Sequence, residues 1–300
     1  MSVDTYMKYL RLDRMPHVWC PGCGNGTVLK AAVGAIDELG LDPNKIAVIS
    51  GIGCSSRATG YLNFNTMHTL HGRAIAFATG VKLARPEMTV IVLTGDGDLA
   101  AIGGNHFIHA ARRNMDITVV CFNNNIYGMT GGQYSPTTPD GSYATTAPYG
   151  NLEPSFDLSQ LAIASGATYV ARSTTYHFIP LQTYIRKGIV NQGFSFVEAI
   201  TQCPTYFGRY NQIGTAPKMM EHFKEKALTF SRLQNELQTG EEKRPAGVSQ
   251  LLEVAREMYP DRILIGEFLN KAKPGYVEQF LNLVKQLEEP KAIPAEKGEG

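Results

Sequence analysis

Three short apolar runs stand out along the chain, at 46–50, 89–94 and 117–122, each closing on a glycine or asparagine turn. Runs of this length without alternation predict strands buried on both faces, as in a parallel sheet. Helix-like stretches precede them at 27–39, 72–83 and 103–113. A helix at 158–164 comes before a strand at 168–171, and a helix at 180–191 before a strand at 194–200. Such alternation implies an α/β fold, a doubly wound parallel sheet. The stretch 128–150 is rich in Gly, Thr, Pro and Tyr with little periodicity, and reads as a long functional or partner-facing loop. Beyond about 210 the pattern changes: one amphipathic helix is expected over 217–239 and further short helices over 240–287. The expected organisation is an α/β domain over 1–210, a helical C-terminal extension over 211–287, and a tail rich in Pro, Lys and Glu over 288–300, expected to be disordered.

Composition adds exclusions. Apolar residues make up 43% and charged residues 18%, a low charged share that implies extensive burial in the core or against other chains. The formal net charge of +1 gives no reason to expect nucleic acid or an anionic membrane surface as partner. No apolar run approaches the roughly 20 residues needed to span a bilayer. The first residues carry no basic stretch followed by an apolar one, so no export signal is expected and the expected location is cytoplasmic. The chain has 5 cysteines, an odd number that argues against a disulfide framework and toward metal or redox chemistry.

Ligands in doubly wound sheets gather at the carboxyl ends of the strands, where the unusual residues of this chain fall. Gly51-Ile52-Gly53-Cys54 follows the first strand, Gly95-Asp96-Gly97-Asp98 the second, Asn123-Asn124-Asn125 the third, and Gln202-Cys203-Pro204 the last. Magnesium takes an octahedral shell of oxygens, shared between a few protein groups, water and phosphate. Asp96 supplies an anionic oxygen, Asn124 an amide oxygen, and the turn beyond it a backbone carbonyl, that of Ile126. Gly95 and Gly97 let backbone amides approach a phosphate with no Cβ in the way. Met129, Thr130 and the glycines after them offer amides and a hydroxyl. Gly-Asp-Gly-Asp taken alone is a common tight turn. The 25 residues between Gly97 and Asn123, one helix plus one strand, bring both turns to one sheet edge. That pairing is similar to the thiamin-diphosphate signature of GDG, a spacer of this length, then NN.

Cys20-Pro21-Gly22-Cys23 lets two sulfurs reach one metal or cluster, and Cys54 and Cys203 lie at strand ends, so a four-thiolate site can assemble. Four thiolates suit structural zinc or an iron–sulfur cluster, and spacing does not separate the two. A thioredoxin-like dithiol would leave Cys54 and Cys203 unexplained. Cys121, inside an apolar strand, reads as a core residue. The position of Cys54 beside the cofactor cleft favours iron, because a redox centre next to thiamin has a use that zinc lacks.

Taken together, these segments resemble the beta subunit of a 2-oxoacid:ferredoxin oxidoreductase, with the 2-oxoglutarate type closest in appearance. The likeness covers about 15–210 and adds Trp19-Cys20-Pro21-Gly22-Cys23-Gly24, His71-Gly72-Arg73-Ala74, the run from Asn123 to Gln133, and Ser135-Pro136-Thr137-Thr138. The resemblance implies that Cys20, Cys23, Cys54 and Cys203 carry a [4Fe-4S] cluster, and that Asp96, Asn124 and the Ile126 carbonyl bind Mg2+. It places Ile52, Gly53, Cys54, Ser55, His71, Gly95, Gly97, Asp98, Gly128, Met129 and Thr130 around thiamin diphosphate. The implied reaction is coenzyme A-dependent oxidative decarboxylation of a 2-oxo acid, here 2-oxoglutarate to succinyl-CoA and CO2, with electrons passing through the cluster to ferredoxin. Thiamin activation calls for a glutamate, and before residue 150 there are only Glu38 and Glu87, neither placed to enter the cleft. The missing acid is expected from an alpha subunit, in an αβ heterodimer or a dimer of it. Arg57 is a candidate for pairing with a substrate carboxylate, and His71 for a catalytic role; a surface arginine and a core histidine are the plainer readings. Two other functions fit the same residues less well. One is a non-oxidative thiamin decarboxylase or carboligase subunit with a structural Zn(Cys)4 site. The other is an electron-transfer or scaffold subunit that no longer binds thiamin.

Overall fold

The computed structural model describes residues 6–239 and 247–288. Its centre is an eight-stranded sheet in the order β2-β1-β3-β4-β8-β7-β10-β9. The strands are β1 (Ile46–Ser50), β2 (Asn65–His68), β3 (Thr89–Gly95), β4 (Thr118–Asn123), β7 (Tyr169–Thr174), β8 (Ser195–Ile200), β9 (Ala227–Thr229) and β10 (Ile263–Asn270); a small hairpin adds β5 (Ile126–Tyr127) and β6 (Gln133–Tyr134). The six strands from β2 to β7 in the sheet run parallel. All residues of β1 and β4 are buried, which is why they read as unbroken apolar runs.

Alternate residues of these strands feed two cores. Val90, Val92, Val119, Val170 and Phe196 face the helices Ala74–Ala84, Gly104–Arg112 and Leu158–Ala164. Ile91, Leu93, Val120, Tyr169 and Val197 face the helices Asn25–Glu38 and Phe178–Val190. Period-two alternation thus assigns each strand residue to one layer. Full burial of one such side chain contributes about 1.5–3 kcal/mol. The expected α/β sheet and its five helices are present, with ends displaced by a few residues.

The C-terminal extension departs from expectation. The single helix expected over 217–239 is two helices, Ala216–Lys226 and Phe230–Thr239, interrupted by β9. The extension is therefore not purely helical: it also supplies β10, which pairs antiparallel with β7 and parallel with β9. The cause is tertiary. Leu228 pairs with Leu264, and both are buried, so closing the sheet edge overrides helical periodicity. The expected tail lies, from residue 289 on, outside the described residues. Among the described residues no helix is long and apolar enough to cross a membrane.

Candidate functional site

The carboxyl ends of β1, β3 and β4 open into one cleft. Every residue expected around the cofactor lines it: Ile52, Gly53, Cys54, Ser55, His71, Gly95, Gly97, Asp98, Gly128, Met129 and Thr130, together with Asp96, Asn124 and Ile126. Phe122 and Tyr127, which the sequence reading passed over, complete the wall.

Asp96 leaves the end of β3 and is 2% exposed. One carboxylate oxygen accepts from Ser135 Oγ at 2.5 Å and Thr137 Oγ1 at 2.7 Å. Burial pushes its pKa up, while these hydroxyls and the Asn124 amide pull it back. A cation beside it would favour the charged form, so the group suits a metal. Asn124 closes a tight turn by accepting from the Ile126 amide at 3.2 Å, and Asn125 sits at φ 61°, the left-handed region asparagine tolerates. Asn123 secures the turn from behind: its Oδ1 accepts from the Asn125 amide at 3.1 Å. Gly97 has no room for a side chain, because a Cβ there would strike the Tyr127 ring. Tyr127 donates to the Gly97 carbonyl at 3.1 Å, and its pKa is pushed up to about 12 by burial and then by the charges of Asp96 and Asp98.

Asp98 also lines the cleft, and its carboxylate is held by groups of the wall. It accepts from the Ile52 amide at 3.1 Å, the Gly72 amide at 2.7 Å and Thr94 Oγ1 at 2.8 Å. Its fourth contact is His71 Nδ1 at 2.6 Å. A carboxylate only accepts, so Nδ1 carries the proton in neutral His71 and Nε2 is left for a ligand. Asp98 also opens a π-helical turn, Asp98–Ile102, a feature that recurs at functional sites.

The second gathering is of sulfur. Cys20, Cys23, Cys54 and Cys203 line one cavity with Trp19, Gly128, Met129 and Tyr206. Gln202 ties the Cys20–Cys23 loop to the end of β8: its side chain donates to the Gly22 carbonyl and its own carbonyl accepts from the Gly24 amide, each at 3.1 Å. Trp19 Nε1 donates to the Cys54 carbonyl at 2.7 Å. Burial, with neighbouring thiols adding to it, pushes Cys23 up to about 12 and Cys54 up to about 11. Cys203 is also raised by burial, against backbone amides of Thr205, Tyr206 and Phe207 that favour its thiolate. The sulfurs line the cavity without meeting at a point. Among the described residues, no three His, Cys, Asp or Glu side chains are gathered to hold a single ion. Three buried side chains with orphaned polar atoms, Asn25, Ser56 and Thr201, each lie two residues from one of these cysteines. Cys121 is fully buried in β4, as expected.

The cleft and the sulfur cavity share Cys54, Asn124, Gly128 and Met129. A Cβ built on Gly128 would stand 3.4 Å from Cys54 Sγ and 3.9 Å from Cys203 Sγ. Arg57 does not line the cleft, contrary to its candidacy for a substrate carboxylate there; it is exposed and lines the sulfur cavity. Its turn, Ser55–Arg57, carries it past the rim. Glu38 pairs with Gln182 and Arg186, and Glu87 with Arg85, so neither enters the cleft.

Comparison with known proteins agrees with this geometry. Residues 51–199 match the family model of the thiamine pyrophosphate enzyme, C-terminal TPP binding domain. The chain is 51% identical over 281 residues to a 2-oxoglutarate synthase subunit KorB of Methanocaldococcus jannaschii, covering 94% of this chain and 97% of that one. It is 38% identical to the beta subunit of a 2-oxoacid:ferredoxin oxidoreductase of Aeropyrum pernix, covering 86% and 85%. A solved 2-oxoglutarate:ferredoxin oxidoreductase from Magnetococcus marinus, with 2-oxoglutarate, coenzyme A and succinyl-CoA bound, superposes with a TM-score of 0.80 at 34% identity, covering 94% of this chain and 90% of that one.

Proposed function

Since the chain belongs to the family of 2-oxoacid:ferredoxin oxidoreductase beta subunits, we propose that it forms the thiamin-binding half of an enzyme that converts 2-oxoglutarate and coenzyme A to succinyl-CoA and CO2 and delivers the electrons to ferredoxin. One observation carries this reading: the cleft that holds Asp96 and Asn124 and a four-thiol cavity share a wall at Gly128.

Asp96, Asn124 and the Ile126 carbonyl are the groups to hold Mg2+, and the donor chemistry fits: one buried carboxylate, one amide and one carbonyl at a single rim. The glycine turn at 95–97 and the segment 128–130 receive the diphosphate. Thiamin diphosphate, when bound, supplies the electron sink for decarboxylation, and an iron–sulfur cluster takes electrons singly. His71, fixed by Asp98, offers Nε2 to whatever the cleft holds. Cys20, Cys23, Cys54 and Cys203 are the cluster ligands. The cavity adjoins the cleft, where a redox centre has a use that the structural zinc of the non-oxidative alternative lacks. Among the described residues no glutamate lines the cleft, so the acid that activates thiamin comes from the alpha subunit.

Anaerobic co-expression with that subunit tests the reading. The expected product is brown, contains iron and thiamin, and is bleached by 2-oxoglutarate plus coenzyme A. A colourless complex containing zinc and no iron would overturn it.

A further inference from the structure

Behind the metal-holding turn lies a row of buried charges with no counterpart in the sequence reading. Asn123 Oδ1 stands at a crossing. It accepts from the Asn125 amide at 3.1 Å, which shapes the turn presenting Asn124 and Ile126, and it lies 3.0 Å from Thr137 Oγ1, which donates to Asp96. The turn that presents Asn124 and Ile126 therefore depends on which way the Asn123 amide points. Its other end decides this, because Nδ2 donates to Glu198 Oε1 at 2.8 Å. Glu198, on β8, is 2% exposed, and its second oxygen accepts from Ser159 Oγ and Arg172 Nε, each at 2.7 Å. Arg172 also donates to Asp157 at 2.6 Å, and Asp157 lies 3.4 Å from Arg256 on the C-terminal helix Val248–Met258.

We propose that Glu198 is a positioning residue for the metal site: held by Arg172 and Ser159, it locks the Asn123 amide with Oδ1 toward the Asn125 amide, and so sets the Asn124 turn. The inference rests on the metal reading of the cleft given above. A carboxylate buried this deeply is a poor way to gain stability, because desolvation offsets most of its attraction for arginine. It is a good way to fix an amide. A carboxylate has no proton to offer, so only the NH2 end of Asn123 can face it. A glutamine in its place presents an acceptor and a donor, and Arg172 competes for the acceptor. The donor end would then meet the Asn123 NH2, and the amide would turn over. Its Oδ1 would be withdrawn from the Asn125 amide, which would then face an NH2 donor instead of an acceptor.

The test uses the complex with its co-expressed partner, stripped of metal and cofactor, with thiamin diphosphate binding titrated against Mg2+. In Glu198→Gln the Mg2+ needed for half-saturation is expected to rise about tenfold, the low end for loss of an outer-shell partner, with full binding restored at high Mg2+. Lys187→Gln is the control, since it disturbs the Lys187–Glu267 pair elsewhere in the fold and is expected to lower the melting temperature without moving the Mg2+ dependence. A folded Glu198→Gln with wild-type Mg2+ dependence overturns the proposal. If that variant does not accumulate, Asn123→Ala decides the matter, because it keeps Glu198 and removes the amide that Glu198 orients. A rise of about tenfold in the Mg2+ needed supports the proposal, and an unchanged Mg2+ dependence overturns it. If the wild-type complex itself binds thiamin diphosphate without regard to Mg2+, the metal reading fails, and that failure is seen before any variant is made.

Discussion

The oxygen cleft and the sulfur cavity lie side by side, yet they are built on opposite principles. In the cleft every key group already has a partner: Asp96 has two hydroxyls, Asp98 has four contacts, and Asn124 closes its own turn. Such a site keeps its shape while empty. Around the sulfur cavity, burial works against the thiolates. Its thiols come from three distant parts of the chain, held near one another by Trp19 and Gln202. The cleft is prepared before its guest arrives; the cavity needs a guest to make thiolates favourable where burial opposes them.

The widest separation between the two should come from Cys203→Ser. Iron measured in the anaerobically purified complex is expected to fall to near zero, while Mg2+-dependent thiamin diphosphate binding survives. Joint loss of both would mean that the cleft, too, needs its neighbour filled. Asp96→Asn is the reverse experiment. Calorimetry should find thiamin diphosphate binding weakened about a hundredfold, with iron content unchanged. Gly97→Ala is a gentler blow to the same side, because the added Cβ must displace the Tyr127 ring. A loss of about tenfold in cofactor affinity is expected, and Gly97→Ala/Tyr127→Leu should recover part of it. The smallest effect is one of pH. Burial would raise the Asp157 pKa, but Arg172 beside it prevails and holds it below the usual carboxylate range. A lowered folded-state pKa gives stability that is present above about pH 4 and is lost as pH falls through the folded value. Asp157→Asn should therefore lower the melting temperature at pH 7, and calorimetric melts of variant and wild type should converge as the solution is made more acidic than about pH 4.

The sequence made the cleft legible because its strands are apolar runs that stop at Gly or Asn, and because Asp96 and Asn124 lie one helix and one strand apart. The cavity was legible through the type and number of its thiols. What stayed hidden was fixed by pairing in space. Strand β2, Asn65–His68, is polar and mostly exposed, and only its register against β1 makes it a strand. Strand β9 is masked by the helical spacing on either side of it. Ser135 and Thr137 sit in a loop whose composition says only that it is irregular, and their tie to Asp96 spans about forty positions. Asp98 was expected at the cofactor because of its motif, but the four contacts that hold its carboxylate come from two other segments and from the strand before it, and spacing does not show them. Glu198, an acid inside the buried run of β8, was a visible signal and went unread.

Where Gly128 passes between the cleft and the sulfurs, the partition is a bare peptide with no side chain. Electron tunnelling decays exponentially with the gap to be crossed, so for a donor in the cleft and an acceptor among the thiols the thickness of this wall acts as a rate setting. One methyl group added there would only touch the two sulfurs, 3.4 Å from Cys54 Sγ and 3.9 Å from Cys203 Sγ, so Gly128→Ala would thicken the wall without moving what lies on either side of it.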